Sequence, residues 1–123
     1  MFVDLGVYAG ASAPAEDVTP PGATLLSTAR CNTIEITGRV SAGTGKLYIL
    51  RKVVYLTAGV RHYQFRPWTE DRPADSADFI DGYFTFRLRL RQDATPEEIL
   101  LWNPGNALTI DPARRLLATM SNY

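Results

Sequence analysis

The chain has 123 residues, enough for one domain with one core, and 46% of them are hydrophobic, which excludes a wholly disordered chain. Thirteen basic residues balance thirteen acidic ones, so the basic excess of a dedicated nucleic-acid binder is missing. A single cysteine, Cys31, excludes an internal disulfide and fits synthesis in a reducing compartment.

Phe2–Tyr8 (FVDLGVY) is a short strand candidate. It has neither the basic start nor the long apolar stretch of a secretory signal. Ala9–Ala23 (AGASAPAEDVTPPGA) follows, and Pro20-Pro21 cannot occupy a central strand. Fully extended as polyproline II, these residues would span about 45 Å at ~3.1 Å each. Residues 1–23 therefore read as an N-terminal strand and a Pro/Ala-rich arm, with a loop packed on its own domain as the alternative. Residues 24–123 read as the body. As an arm, Met1–Ala23 is expected to contact another chain through Phe2, Val3, Leu5, Val7, Pro20 and Pro21, and its removal is expected to leave a folded monomer.

Asn32–Val40 alternates Ile34, Ile36 and Val40 against Thr33, Glu35, Thr37 and Arg39, the period of a strand with one buried face. Ser41–Lys46 is a turn. Its AGTGKL core lacks the first glycine and the hydroxyl of a phosphate loop, with Val40 and Leu47 in those places. Leu47–Leu56 is apolar on both parities around Arg51 and Lys52, so it is covered on both faces or bulges at the charged pair. After the Thr57-Ala58-Gly59 turn, Val60–Arg66 puts Tyr63 and Phe65 on one side and His62 and Gln64 on the other.

Pro67–Asp81 is a long polar loop with five acids: Glu70, Asp71, Asp75, Asp78 and Asp81. Its three-residue acid spacing does not match a calcium-binding EF-hand loop, and a solvated loop is the expected reading. Asp81–Arg91 (DGYFTFRLRLR) is the clearest strand. Phe84, Phe86, Leu88 and Leu90 share one parity; Tyr83, Thr85, Arg87, Arg89 and Arg91 share the other. The arginines stand roughly 7 Å apart, close to phosphate spacing in a nucleic acid. Zero net charge argues instead for carboxylate partners, either on a neighbouring strand, such as Glu35, or in the acidic loop of another subunit through Asp75 and Asp78.

Thr95-Pro96-Glu97-Glu98 carries the capping signals of a short helix, which Asn103-Pro104-Gly105 would stop. Ala107–Ile110, Asp111–Arg114 and Arg115–Met120 read as strand, turn, strand, with a helix over Pro112–Met120 as the alternative. Together these elements predict a mainly β domain: an antiparallel β-sandwich of jelly-roll type, with one short helix and an extended N-terminal arm.

Catalytic patterns are scarce. The lone His62 and lone Cys31 do not suffice for a structural zinc site, and no nucleophile elbow occurs. No catalytic residue, cofactor or metal is assigned. A hydrolase using scattered acids is the remaining enzymatic reading. Tyr63, Trp68 and Tyr83 are the residues from which a sugar-stacking platform would be built.

Val53–Phe65 (VVYLTAGVRHYQF) is similar to the strand–TAG–strand hairpins of jelly-roll carbohydrate-binding modules and of related phage β-sandwiches. Asn103–Met120 (NPGNALTIDPARRLLATM) resembles terminal hairpins of small phage tail and virion proteins. The two stretches cover about a quarter of the chain, and no active-site residue carries over from either. The resemblance implies a non-enzymatic virion structural protein, either a capsid decoration (cement) protein or a small tail component. It would be made in the host cytoplasm without a signal peptide, end in the virion, and act through other protein subunits as a homo-oligomer or larger virion assembly. Zero net charge argues against a nucleic-acid partner, and no apolar run reaches the roughly 20 residues of a membrane span. The alternative is a carbohydrate-binding β-sandwich module.

Overall fold

A computed structural model describes residues 2–29, 31–42, 46–68, 76–78, 82–90, 97–104 and 109–121. Two packed sheets account for most of them. In the first, β4 (Thr33–Ala42) lies between β8 (Tyr83–Arg89) on one edge and β11 (Leu117–Ser121) on the other, and β1 (Phe2–Asp4) closes the β11 side. The short β10 (Thr109–Ile110) continues the line of β11 along β4. In the second sheet, β9 (Glu98–Asn103) is central. It pairs with β5 (Lys46–Thr57) on one side and with β2 (Val7–Ala9) and β3 (Leu26–Ser27) on the other. Beyond β5 lie β6 (Val60–Pro67) and β7 (Ser76–Asp78). Among the described residues, no helix is long and apolar enough to cross a membrane.

The parity of the sequence sets which face each strand buries. Phe84, Phe86 and Leu88 are buried and Tyr83, Thr85, Arg87 and Arg89 are exposed, an unbroken alternation. In register across from them, Ile34 and Ile36 are fully buried, so Ile36 meets Phe86 and Ile34 meets Leu88. Ile49, Leu101, Leu116 and Ala118 complete the core between the sheets.

β5 is covered on both faces in its first half, one of the two arrangements its sequence allowed. Leu47 and Ile49 face the main core, while Leu50 points the other way into a second cluster with Phe65 and Leu100. Residues 10–25 roof this cluster. Ala13 and Leu25 pack on it, and the Trp102 indole N–H donates to the Gly10 carbonyl at 2.8 Å.

The segment read as an arm is thus packed along its own domain. Val3 and Val7 pack against the main core and Leu5 is part of it, because these alternate residues share the inward parity. Pro20 is buried and Pro21 exposed. The chain crosses from the first sheet to the second at Gly6. A Cβ there would stand 1.9 Å from the Gly22 carbonyl oxygen, so only glycine fits without a backbone shift. The Gly6 N–H donates to Thr24 Oγ1 at 2.6 Å, which ties this corner to the roofing segment.

The helix expected after Pro96 is replaced by β9; Thr95 and Pro96 themselves lie outside the described residues. Ile99, Leu100 and Leu101 are all buried, on alternate faces of a central strand. Burial on both faces, worth about 1.5–3 kcal/mol per large side chain, outweighs a capping preference of about 1 kcal/mol. At the C-terminal end, strand, turn and strand are observed. Pro112–Arg114 is a single 3-10 turn, capped by Asp111, whose carboxylate accepts from the Ala113 N–H at 3.0 Å. It is the one short helical element among the described residues. Residues 43–45 of the Gly-rich turn lie outside the description, as does most of the acidic loop, but Ser76–Asp78 within that loop forms β7.

Candidate functional site

The most distinctive surface is the outer face of the first sheet. β4 and β8 send Thr33, Glu35, Thr37, Arg39, Tyr83, Thr85, Arg87 and Arg89 to it. Arg87 stands in register with Glu35 and reaches its Oε2 through Nε at 3.1 Å and Nη2 at 2.6 Å. This is one of the two carboxylate partnerships the sequence left open. Arg39 pairs with Asp111 at 3.1 Å and Arg115 with Asp4 at 3.0 Å. The guanidinium carbons of Arg39 and Arg114 lie 5.2 and 5.3 Å from the Tyr83 ring centroid, so the exposed ring is flanked by two cations. A shallow groove of about 280 Å³ runs beside it, bordered by Thr37, Thr85, Arg114 and Arg115. Arg89 and Arg114 have no carboxylate partner among the described residues. Arg91 lies outside those residues, and so does Asp75; Asp78 lies in β7, with its side chain undescribed.

The sugar platform is not assembled. Tyr63 belongs to the second cluster, with Lys52 Nζ 4.3 Å from its ring centroid and its hydroxyl 3.0 Å from Thr19 Oγ1. Trp68 is half-buried against the main core, whereas Tyr83 stands on the outer face of the other sheet. Tyr63 lies on β6, Tyr83 on β8 and Trp68 just beyond the end of β6, so the three rings do not share one surface.

A third feature had no sequence signal. Asp17, at φ 60°, lies along the edge of β6. Its N–H donates to the Tyr63 carbonyl at 2.8 Å, its Oδ1 accepts from the Tyr63 N–H at 2.8 Å, and its Oδ2 lies 2.7 Å from His62 Nδ1. One residue thereby mimics a neighbouring strand. Glu16 also approaches, and Glu16, Asp17 and His62 offer three ligand-type atoms within 4.8 Å of one another.

The Asp17 hydrogen bond raises the His62 pKa above its ordinary 6.5, and the same bond, with that from the Tyr63 amide, lowers Asp17 below 3.8. The raised histidine contributes stability that is fully present below pH 6.5 and is lost as pH rises through its folded pKa. The lowered aspartate contributes stability that is present above pH 3.8 and is lost as pH falls through its folded pKa. The contact is therefore strongest between those two values. In an NMR titration, the His62 ring is expected to show a midpoint above 6.5 that drops in Asp17→Asn. Equal midpoints in the two proteins would rule out the contact in solution.

Compared with known proteins, the chain matches no family model, no curated protein and no solved structure.

Proposed function

We propose that this chain is a non-enzymatic virion structural protein, a capsid decoration or small tail component, that acts through contacts between subunits. The observation that carries this reading is the arginine-bearing outer face of the first sheet. Two of its ion pairs are solvent-exposed; the Arg87 and Arg115 side chains are 61% and 65% accessible. Such pairs contribute about 0–1 kcal/mol each, so exchanging one carboxylate for another costs little. A neighbour's carboxylates docking on this face would gain strength as water is excluded, and the planar guanidinium fork would fix their register. The virion context draws its support from the resemblance of Val53–Phe65, which forms the β5–β6 hairpin, and of Asn103–Met120, which contains β10, the capped turn and β11.

Replacing Arg87, Arg89 and Arg91 by Gln is expected to weaken assembly in a salt-sensitive way and to leave the monomer's melting temperature nearly unchanged. Light scattering over a salt series measures the first and a thermal melt the second. Tight, steeply salt-dependent binding to DNA or RNA that the triple variant abolishes would overturn the reading.

A further inference from the structure

The contact between Asp17 and His62 joins parts of the chain 45 residues apart, and the backbone builds it. The Val18 N–H donates to the Ala15 carbonyl at 3.1 Å and closes the turn that carries Glu16 and Asp17. Asp17 is then fixed to Tyr63 by two hydrogen bonds of 2.8 Å, one to its carbonyl and one from its N–H. The second of these occupies Oδ1 and leaves Oδ2 facing the His62 ring. Tyr55 stands in register with His62 and stacks on it, with ring centroids 5.6 Å apart and planes 27° apart. The imidazole is thus oriented from outside the hydrogen-bonded group.

What this group lacks is a cation. Among the described residues, Asp4, Glu35, Glu97, Glu98 and Asp111 each pair with an arginine or a lysine. Glu16 and Asp17 pair with neither; Asp17 has only His62, whose charge depends on its protonation. Two uncompensated carboxylates therefore stand beside an imidazole, with one ligand atom from each residue inside a 4.8 Å span.

We propose that Glu16, Asp17 and His62 bind one divalent transition-metal ion of the copper or nickel type, which takes the place of the proton between His62 Nδ1 and Asp17 Oδ2. Metal bonds of about 2.0–2.1 Å meeting at a right angle set their ligand atoms roughly 2.9 Å apart, whereas a tetrahedral angle sets them roughly 3.3 Å apart. The 2.7 Å between Nδ1 and Oδ2 is nearer the first, the geometry of tetragonal and octahedral ions. Imidazole nitrogen with carboxylate oxygen suits copper and nickel, and Cu²⁺ heads the affinity order for such donors. Calcium, which wants oxygen ligands only and more of them, is disfavoured. Where the ring is charged, binding releases the Nδ1 proton to solvent and Nε2 keeps its own. Water completes the coordination shell, since the His62 and Asp17 side chains are 30% and 42% accessible and Glu16 is exposed. The ion would fasten the segment that roofs the second cluster to β6. The site lies on the second sheet, and its test does not depend on the assembly reading.

Isothermal titration calorimetry of the full chain with Ni²⁺ in a non-chelating buffer tests the proposal. One Ni²⁺ per chain is expected, with a rise in melting temperature. His62→Ala should abolish binding. Glu16→Gln and Asp17→Asn should each weaken it by at least the roughly tenfold that loss of even an outer-shell partner costs a metal site. An excess of Ca²⁺ should not displace the Ni²⁺. In NMR spectra of the unsubstituted chain, paramagnetic Ni²⁺ should broaden the His62 ring and Tyr63 amide signals first, a readout that needs no variant. No binding by the unsubstituted chain, affinity unchanged in His62→Ala or Glu16→Gln, displacement by Ca²⁺, or first broadening elsewhere in the chain would overturn the proposal.

Discussion

Deleting residues 1–23 is expected to abolish cooperative folding. A detachable arm would leave a folded body behind, but the structure places this segment among the body's own supports. Val3 and Val7 pack on the main core and Leu5 is buried within it. Leu5 contributes about 1.5–3 kcal/mol of burial and the half-buried valines less, a sizeable share of the ~5–15 kcal/mol net stability of an ordinary domain. The deletion also uncovers β11 along its β1 edge and β9 along its β2 edge, and removes Ala13 and Gly10 from above Leu50, Phe65 and Leu100. Backbone groups and a buried apolar cluster would face water together. Far-ultraviolet circular dichroism during a urea titration checks this. A sharp transition in the truncated protein, with a midpoint close to that of the intact chain, would show that the segment is dispensable.

Phe86→Ala is expected to cost about 3–5 kcal/mol, the range for removing a buried aromatic ring without collapse of the site. Phe86 is 5% exposed and stands in register with Ile36, which is fully buried in the middle strand of its sheet. Its core neighbours Ile34, Ile36 and Leu88 are themselves buried. Thr85→Ala, one residue away, is the internal control. Thr85 is exposed and opposite Thr37, so its loss should cost well under half as much. The pair of variants isolates the alternation itself, because sequence position and strand are nearly the same. Similar shifts of the urea midpoint in the two variants would mean that β8 does not bury one face in solution.

That alternation is also why so much of the first sheet was legible. β4 and β8 each bury every second side chain, and a period of two can be read from a string of letters. The Glu35–Arg87 pair followed once both residues fell on outward parities of strands able to neighbour each other. β9 was misread because Thr95-Pro96-Glu97-Glu98 is a local signal, while the burial of Ile99, Leu100 and Leu101 on two faces depends on strands from distant parts of the chain. The N-terminal strands were recognisable as apolar, but nothing local shows whether their partners belong to the same chain. Asp17 and His62 are 45 residues apart, and neither belongs to a motif. The flanking of Tyr83 by Arg39 and Arg114 likewise depends on three separate elements meeting at one edge.

The pairing of Phe2 with Thr119, and of Val7 with Leu101, has a consequence for biosynthesis. β1 and β2 have no place to dock until β11 and β9 have been made. At about 5–20 residues per second, the nascent chain waits seconds with Leu5 and Val7 uncovered. Such long-range pairing belongs to the slow, millisecond-to-second class of folding reactions, because the loop must close before its contacts stabilise it. Folding of this domain therefore waits until β9 and β11 have been made. During synthesis, the apolar β5–β6 hairpin, whose strands are joined by a two-residue turn, is the segment best able to form early. It would do so with Tyr48–Arg51, which β9 later covers, still open along one side.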